Sequence, residues 1–495
     1  MPMNRQKSRT VNQNDKDKDR ERNSLTFYKG FEKLENAFQF IVNAKTDPFL
    51  VSLLLSLLST IFFWEWDFKR FFFIFTLLLL LELVVCESVI KKVRFFQIHK
   101  QYGRTFYMLL LIAGFINIIA GRYIGYQAIT PFFGVSLITI LLGKKAGQIS
   151  SIFFAALLII LFPSHAAYAI FMIIVGYLTA NITSDVDRRI ELTFYALIIS
   201  LVKLCGYMIL VLSGFEMFSV QSLMLVSITP IVSTILVIGI LPYVEWISRI
   251  YSNIGMLELG NLNHTLLKEL MQKAPGTYFH SFMLSNLSES AAEKIGVNPI
   301  LARVGAYFHD IGKTKKPEFF TENQTDDNPH NRLKPSMSYL VLMEHVKFGV
   351  EIANKYRLPI LFEDLIVQHH GTRTQKYFYM KAKNENPDTT EDQYRYAGPK
   401  PQFKEAGILM LADSCEAAVK SLDNLSPQKV QELVGDIVNG IYLERELDES
   451  GLTLKDIEEI VQEFTRVIVK AYHKRIAYPK NPDEIKEEGP ITIKK

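Results

Sequence analysis

The chain has 495 residues, 49% of them hydrophobic, and a formal net charge of +4, so it is long enough for two or more domains. The small charge is spread along the chain and does not favour DNA or RNA as a partner. The three cysteines, Cys86, Cys205 and Cys415, form no CxxC motif, which excludes a disulfide framework and a cysteine-based metal site.

The N-terminal segment, residues 1–48, is predicted to be a cytoplasmic tail followed by an amphipathic helix. Residues 1–24 are polar and charged and do not resemble a cleavable signal peptide. The apolar residues that follow recur at helical spacing, which fits a helix on the inner membrane surface or one packed on the soluble domain. These residues are Phe27, Phe31, Leu34, Phe38 and Ile41.

Residues 49–246 are almost wholly apolar and are predicted to form a membrane domain. A bilayer span needs about 20 apolar residues, and the segment offers eight candidates, the fifth and sixth separated by a Pro-containing break at 163–166. The candidates cover residues 49–65, 71–90, 105–122, 126–143, 149–162, 165–182, 191–213 and 220–243.

The charges of the connecting loops predict the orientation of the membrane domain. With the N-terminus inside, the inner loops carry nine Lys or Arg residues and the outer loops carry three, which agrees with the positive-inside rule. The even number of spans then returns the C-terminal half to the cytoplasm. We therefore predict a multi-pass protein of the inner cell membrane, with the lipid bilayer as a partner.

Three charged residues, Glu82, Glu87 and Lys203, fall within or near the predicted spans. An intramembrane charge is a functional hypothesis by default. Here an internal Glu–Lys pair or snorkelling at a span end is the favoured interpretation, because no span carries the repeated polar stripe that a transporter would need.

A helical linker is predicted over residues 247–273, ahead of a soluble domain at 274–495. Four apolar residues of the linker follow a 3-then-4 spacing: Ile247, Ile250, Ile254 and Leu257. Two heptads are too few to establish a coiled coil, so a simple connector and a homodimer through the linker are both open.

The soluble domain is predicted to be helical throughout, which makes the fold class of the chain all-α. Asn298 followed by Pro299 predicts the start of a helix, and we expect it to continue to Gly312 and to carry His309 and Asp310. Further helices are expected from Ser338 to about Tyr356, from Pro359 to Gly371, over residues 404–421, and from near His280.

These helices bring acidic and histidine side chains into apolar faces, where they are costly unless they are paired or bind a metal. Imidazole and carboxylate ligands together suit Fe, Mn, Zn or Ni. Seven candidates exceed the needs of one ion, so two divalent metals are predicted, an arrangement that can clamp a phosphodiester. The candidate ligands are His280, His309, Asp310, His345, His369, His370 and Asp413.

Four short motifs resemble the HD-domain phosphohydrolases. They are HDIGK at 309–313, EHV at 344–346, HHGT at 369–372 and LADSCEAA at 411–418. Longer segments, including NLNHTLLKELMQKAPGTYFHS, FFTENQ and YRYAGPKPQFKEAGILMLADSCEAA, resemble the seven-transmembrane-HD receptor family over about residues 75–495 of this chain.

The resemblance implies hydrolysis of cyclic di-AMP to linear pApA with two divalent metals, Mn or Fe. It implies that the seven candidates are the metal ligands, that Asp310 bridges the metals, and that Lys313 acts near a substrate phosphate. HHGT stands where the GYP-type signature of cyclic di-GMP enzymes would be, which favours cyclic di-AMP. Only residues 66–70 connect the first two spans, whereas this family usually has a large extracytoplasmic domain there.

Contacts with substrate are less defined by the sequence. Basic Arg373, Arg395 and Lys400 are candidates to meet the dinucleotide's phosphates, although solvated surface charges would look the same. The polar segment 321–338 is expected to be a loop beside the site, either a lid or a passive connection. The alternatives to this function are an HD enzyme acting on another nucleotide phosphoester and a membrane sensor with a non-catalytic HD domain.

Overall fold

The computed structural model describes residues 94–471, apart from 325–326 and 421–425, and scattered positions between 53 and 80. The predicted N-terminal segment lies outside the described residues, and so do Glu82 and Glu87. The first two predicted spans are described only at scattered positions, which are helical. The described residues form α-helices and short 3₁₀ helices without any β-sheet, so the predicted all-α fold class is confirmed.

The chain divides into two compact units, Met1–Gly255 and Met256–Lys495. The described helices of the first unit are α1 Arg94–Ile98, α2 Lys100–Tyr123, α3 Pro131–Leu142, α4 Lys144–Leu161, α5 Ala166–Ile182, α6 Arg189–Leu212 and α7 Val220–Ser248. Each of the last six predicted spans falls on one of the helices α2 to α7.

Five of these helices are long and apolar enough to cross a membrane, judged by length and composition over the described residues: α2, α4, α5 with its preceding turn, α6 and α7. The shorter apolar segment Tyr126–Leu142 contains α3. A 3₁₀ turn at Pro163–His165 separates α4 from α5, as the Pro-containing break predicts, so the two are distinct helices.

The centre of the first unit is α3, which packs against α2, α4, α5 and α7. Thr130 caps this helix by accepting a hydrogen bond from the amide of Phe132 at 3.2 Å, and Pro131 occupies the first position, where no amide donor is needed. Close approach of α4 and α5 requires Gly176, since a Cβ there would lie 2.5 Å from the Cβ of Ser151. Small residues at such contacts are typical of membrane helices.

The first unit also presents apolar surface outward. Leu201 on α6 and Ile235 on α7 are 62% and 66% exposed. Exposed apolar side chains on such long helices are what contact with lipid requires.

The predicted linker is not one continuous helix. Helix α7 ends at Ser248, Arg249 adopts a left-handed conformation with φ of 56°, and a new helix, α8, begins at Asn253. The 3-then-4 spacing of apolar residues therefore crosses an interruption. A homodimer through the linker stays a prediction.

The second unit consists of helices joined by turns and by two longer connections, at residues 309–334 and 386–403. With α8 Asn253–Leu259, which crosses the division, the described helices are α9 Thr265–Lys273, α10 Pro275–Lys294, α11 Pro299–Phe308, α12 Pro335–Lys355, α13 Ile360–Gln368, α14 Lys376–Glu385, α15 Lys404–Val419, α16 Pro427–Leu443 and α17 Leu454–Ala471. Helix α10 lies at the centre and packs against α9, α11, α15 and α17.

Several helix boundaries differ from the sequence prediction: α13 ends at Gln368, before His369 and His370, and α10 begins at Pro275, ahead of His280. Asn298 caps α11 as expected, but α11 ends at Phe308 and a 3₁₀ turn follows at Ile311–Lys315. At Gly312 this turn lies against the backbone of α12 so closely that a Cβ would meet the carbonyl of His345. The helix therefore ends early where the chain meets a distant helix, and the spacing of apolar residues along the sequence could not predict that contact. Helix α12 also begins earlier than predicted, so Ser338 is a buried residue inside it rather than its cap.

Candidate metal centre

The seven predicted ligands come together in the second unit from five places in the chain. His280 lies on α10, His345 on α12 and Asp413 on α15, while the pair after α11 and the pair after α13 come from turns at helix ends. The pairs are His309 with Asp310 and His369 with His370. Donor atoms fall into two compact groups whose members lie within 4.8 Å of one another, His280–His309–Asp310 and His345–His369–His370.

Three of the histidines are oriented by the backbone in the same way. The Nδ1 atoms of His309, His345 and His369 lie 2.8, 2.5 and 2.8 Å from the carbonyl oxygens three residues earlier. A carbonyl can only accept, so Nδ1 donates its hydrogen and a neutral ring keeps its lone pair on Nε2. This is the arrangement by which second contacts fix the tautomer of a metal-binding histidine.

Asp310 lies between the two groups. Its Oδ2 is 3.2 Å from Nε2 of His309, and its Oδ1 is 3.5 and 3.7 Å from Nε2 of His345 and His369. Each carboxylate oxygen therefore faces a different group, which is the position that a bridging ligand would need.

Asp413 spans the same two groups from another side. Its Oδ1 is 3.0 Å from Nε2 of His280, and its Oδ2 is 3.8 Å from Nδ1 of His370. Asp413 and Asp310 thus both connect the two sets of histidines.

The donor atoms fit a cation because some have no other partner. Among the described residues, Nε2 of His309 and Oδ1 of Asp310 are buried without a hydrogen bond. The Nε2 atoms of His345 and His369 face one another at 3.5 Å, although both rings already donate through Nδ1. Two lone pairs in contact and an orphaned carboxylate oxygen are costly in a buried site, and a divalent cation between them would remove that cost.

Local electrostatics keep most of these histidines neutral and the acids ionised. Burial lowers the pKa of His369 to about 3, and burial also lowers the pKa of His345 and of His370. Burial would raise the pKa of Asp310, but Lys313 and neighbouring histidines hold it well below its usual range. Neutral imidazoles and ionised carboxylates are the forms that bind metals.

His280 is held differently, and its partner was missed by sequence reasoning. Burial would lower the pKa of His280, but its hydrogen bonds with Asp413 and Glu416 outweigh burial and raise the pKa to about 10. Oε2 of Glu416 lies 2.6 Å from Nδ1 of His280, and Glu416 is buried. The available signal was spacing, since Glu416 follows Asp413 by three residues on α15 and such residues share a helix face.

Lys313, the predicted phosphate contact, is already paired with two carboxylates. Its Nζ lies 2.7 Å from Oδ2 of Asp310 and 2.8 Å from Oε1 of Glu322. Burial would lower the pKa of Lys313, but the two carboxylates raise it, so the ammonium group stays charged. Glu322 is held in turn by the hydroxyl of Thr277 at 3.0 Å. Sequence reasoning did not single out Glu322.

A cavity of about 390 Å³ opens beside the candidate ligands. This volume falls within the range of small-molecule sites, roughly 300–1,000 Å³. Its lining includes His345, His370, Lys313, Glu322 and Tyr396. Part of the predicted loop 321–338 contributes to the wall, through Thr321, Glu322, Asn328, His330 and Asn331, so this segment does lie beside the site. A lid movement stays a prediction.

The other predicted substrate contacts do not line this cavity and stay predictions. Arg373, Arg395 and Lys400 are absent from the lining of this cavity. Each of them has a partner of its own within the described residues. The partners are Glu444 for Arg373 at 3.1 Å, Glu391 for Arg395 at 2.9 Å and the carbonyl oxygen of Arg445 for Lys400 at 2.8 Å.

Comparisons with known proteins agree with this division into two parts. Residues 66–252 match the family described as "7TM receptor with intracellular HD hydrolase", and residues 277–418 match the HD domain family. The first match and the five apolar helices make this a membrane protein.

Similar curated proteins include two named cyclic-di-AMP phosphodiesterase PgpH. The protein of Bacillus subtilis (strain 168) is 42% identical over 277 residues, which are 56% of this chain and 38% of that protein. The protein of Listeria monocytogenes is 37% identical over 358 residues, which are 71% of this chain and 50% of that protein. The chain therefore spans half or less of the length of these relatives.

Among solved structures, the chain is similar to the HD domain of the L. monocytogenes phosphodiesterase PgpH, crystallised in complex with cyclic-di-AMP. The sequence identity is 45%, the match covers 43% of this chain and 100% of that chain, and the TM-score is 0.42.

Proposed function

This chain belongs to the family of seven-transmembrane receptors with an intracellular HD hydrolase, and on that basis we propose that it is a membrane-anchored, metal-dependent phosphodiesterase that hydrolyses cyclic di-AMP to pApA. The observation that carries the proposal is the pair of ligand groups joined by Asp310. The names of the curated relatives support the choice of substrate.

Two divalent metal ions, Mn or Fe, are the proposed cofactors. One would be held by His280, His309 and Asp413, the other by His345, His369 and His370, with Asp310 between them. When bound, such ions supply Lewis acidity toward the phosphate and toward the attacking water. The orphaned donor atoms of His309 and Asp310 support this assignment.

The protein's own residues prepare the site for that chemistry. Asp310 and Asp413 would contribute two negative charges against the positive charges of the metals. Each of them also lies near histidines of both ligand groups. Lys313 remains protonated on the cavity wall, so it can donate to a phosphate oxygen while keeping Asp310 ionised. Aromatic Phe320 contacts the His345 ring edge-to-face, with centroids 5.6 Å apart.

Both termini and the HD domain are proposed to be cytoplasmic. The loop charges support this orientation, and residues 165 and 186 flank opposite ends of α5. Reporter fusions at these two positions should therefore report opposite sides of the membrane. The same side for both would contradict the proposed arrangement of spans.

The proposed activity is tested with the full-length protein purified in detergent. With Mn or Fe it should convert cyclic di-AMP to pApA, and a chelator should abolish the reaction until metal is returned. Turnover by a metal-free sample would contradict the metal mechanism, and activity on cyclic di-GMP alone would contradict the substrate. Turnover of another nucleotide phosphoester alone, or of none, would favour the two alternatives predicted from the sequence.

A further inference from the structure

The charged side chains that line the cavity are not equivalent. Lys313 is neutralised by Asp310 and Glu322 at 2.7 and 2.8 Å. Lys381 also lines the cavity, but none of the ion pairs or hydrogen bonds among the described residues involves its Nζ. The cavity wall therefore carries one cation that already has carboxylate partners and one that does not.

Lys381 is presented to the cavity by a helix that supplies two other wall residues. It lies on α14, together with Tyr377 and Phe378. Residues four and three apart are neighbours on a helix surface, so Lys381 lies beside Tyr377 and beside Phe378. The helix is anchored because Phe378 is buried and its ring packs on His330, with centroids 5.1 Å apart.

The chemistry of a cyclic dinucleotide calls for a second anion site. Such a substrate has two phosphodiester groups, and conversion to a linear dinucleotide breaks only one of them. The group that is cleaved must reach the metal ligands, so the other, equally charged, lies elsewhere in the cavity. Lysine suits it, because its flexible stem carries a compact charge with three donors.

We propose, building on the function proposed above, that Lys381 binds the phosphodiester that is not cleaved. Lys381 thereby selects substrates with two phosphates over simple diesters. Because this contact is remote from the reacting phosphate and present before and during the reaction, it contributes uniform binding and acts on KM rather than on kcat.

The chain offers a matched control two residues away. Lys383 lies on the same helix, but its side chain is exposed and outside the lining of the cavity. Its Nζ bonds to the hydroxyl of Tyr379 at 3.0 Å. Lys381→Gln and Lys383→Gln remove the same charge from the same helix, so a difference between them reports the cavity and not the net charge.

The experiment measures steady-state kinetics of both variants in the full-length protein with two substrates, cyclic di-AMP and bis(p-nitrophenyl) phosphate, which has a single phosphodiester. Lys381→Gln should raise KM for cyclic di-AMP about tenfold to a hundredfold, as expected for a lost charge-assisted contact, with kcat near that of the parent. Its kinetics with bis(p-nitrophenyl) phosphate should be unchanged. Lys383→Gln should match the parent on both substrates.

Two results would overturn the inference while leaving the proposed function intact. One is a KM for cyclic di-AMP that is the same in Lys381→Gln and Lys383→Gln. The other is an equal loss of Lys381→Gln activity on both substrates, which would indicate general damage to the site. If the parent protein failed to hydrolyse cyclic di-AMP, the proposed function would fail first and this inference with it.

Discussion

The two units differ in whether their buried polar atoms have hydrogen-bond partners. In the membrane unit, Lys203 is fully buried and donates to the hydroxyl of Thr229 at 2.7 Å. In the second unit, Oδ1 of Asp310 and Nε2 of His309 are buried without any hydrogen bond among the described residues. Among the described residues, Lys203 therefore neither pairs with a glutamate nor snorkels, contrary to the sequence prediction, but its ammonium group has a hydroxyl acceptor. In the second unit, by contrast, two atoms of the proposed metal ligands have no hydrogen-bond partner.

The first unit holds a second buried polar group, Glu216, by contacts with two other side chains. The carboxylate of Glu216 accepts from the hydroxyl of Tyr126 at 2.7 Å and lies 2.9 Å from Nδ1 of His165. Its members come from three different connections between helices, so the cluster joins them. A buried charge without a partner is unfavourable in either unit, and the contrast therefore indicates that the second unit is built to receive a cation.

The largest effect is expected when Asp310, the proposed shared ligand of two metals, is changed. Asp310→Asn keeps the shape of the side chain but removes the charge that faces both ligand groups. Turnover should fall by about a thousandfold or more, and metal analysis should show fewer than two ions per chain. A variant that kept two metals and near-normal turnover would show that Asp310 is not a bridge.

A smaller effect is expected at Lys313, which touches Asp310 but is not a metal ligand. Lys313→Ala should lower kcat/KM about tenfold to a hundredfold, the value of a charge-assisted contact to phosphate, while metal content stays near normal. Kinetics and metal analysis on the same sample separate these roles. Loss of metal together with activity would instead place Lys313 among the groups that hold the centre together.

Glu416 tests how much a residue that contacts a proposed ligand, without binding metal itself, contributes to metal affinity. Glu416→Gln weakens the acceptor for Nδ1 of His280, and loss of such second contacts typically costs about tenfold to a hundredfold in metal affinity. We expect the lower end, because Gln retains an acceptor oxygen. Titration of metal into the metal-free protein measures this. Lys420→Gln, which removes the exposed partner of Glu416, is the control and should have little effect.

The smallest effect is expected in the first unit, where the ammonium group of Lys203 already has a hydrogen-bond acceptor. Lys203→Met replaces a buried cation by an apolar side chain and should be neutral or stabilising. Thr229→Val leaves the ammonium group without its acceptor and should lower the free energy of unfolding by about 1–3 kcal/mol. Thermal unfolding in detergent compares the two, and the double variant should resemble Lys203→Met. A Lys203→Met protein that is less stable than Thr229→Val would contradict this prediction.

The sequence by itself determined the features that depend on local pattern. Runs of apolar residues predicted the spans that fall on α2 to α7. This works because a helix in lipid satisfies its own backbone hydrogen bonds and needs about 20 consecutive apolar residues. The candidate ligands and the motifs around them could also be recognised in the sequence, because only a few types of side chain bind metal ions.

Only the tertiary structure decided which charged side chains have partners and what those partners are. Arg373 and Lys400 were predicted as phosphate contacts, but their partners come from segments 71 and 45 residues away, and sequence spacing does not reveal such pairing. The same holds for Glu416, which meets His280 across 136 residues. Whether a charged side chain is available depends on what the fold places beside it, and that is a property of packing between distant helices.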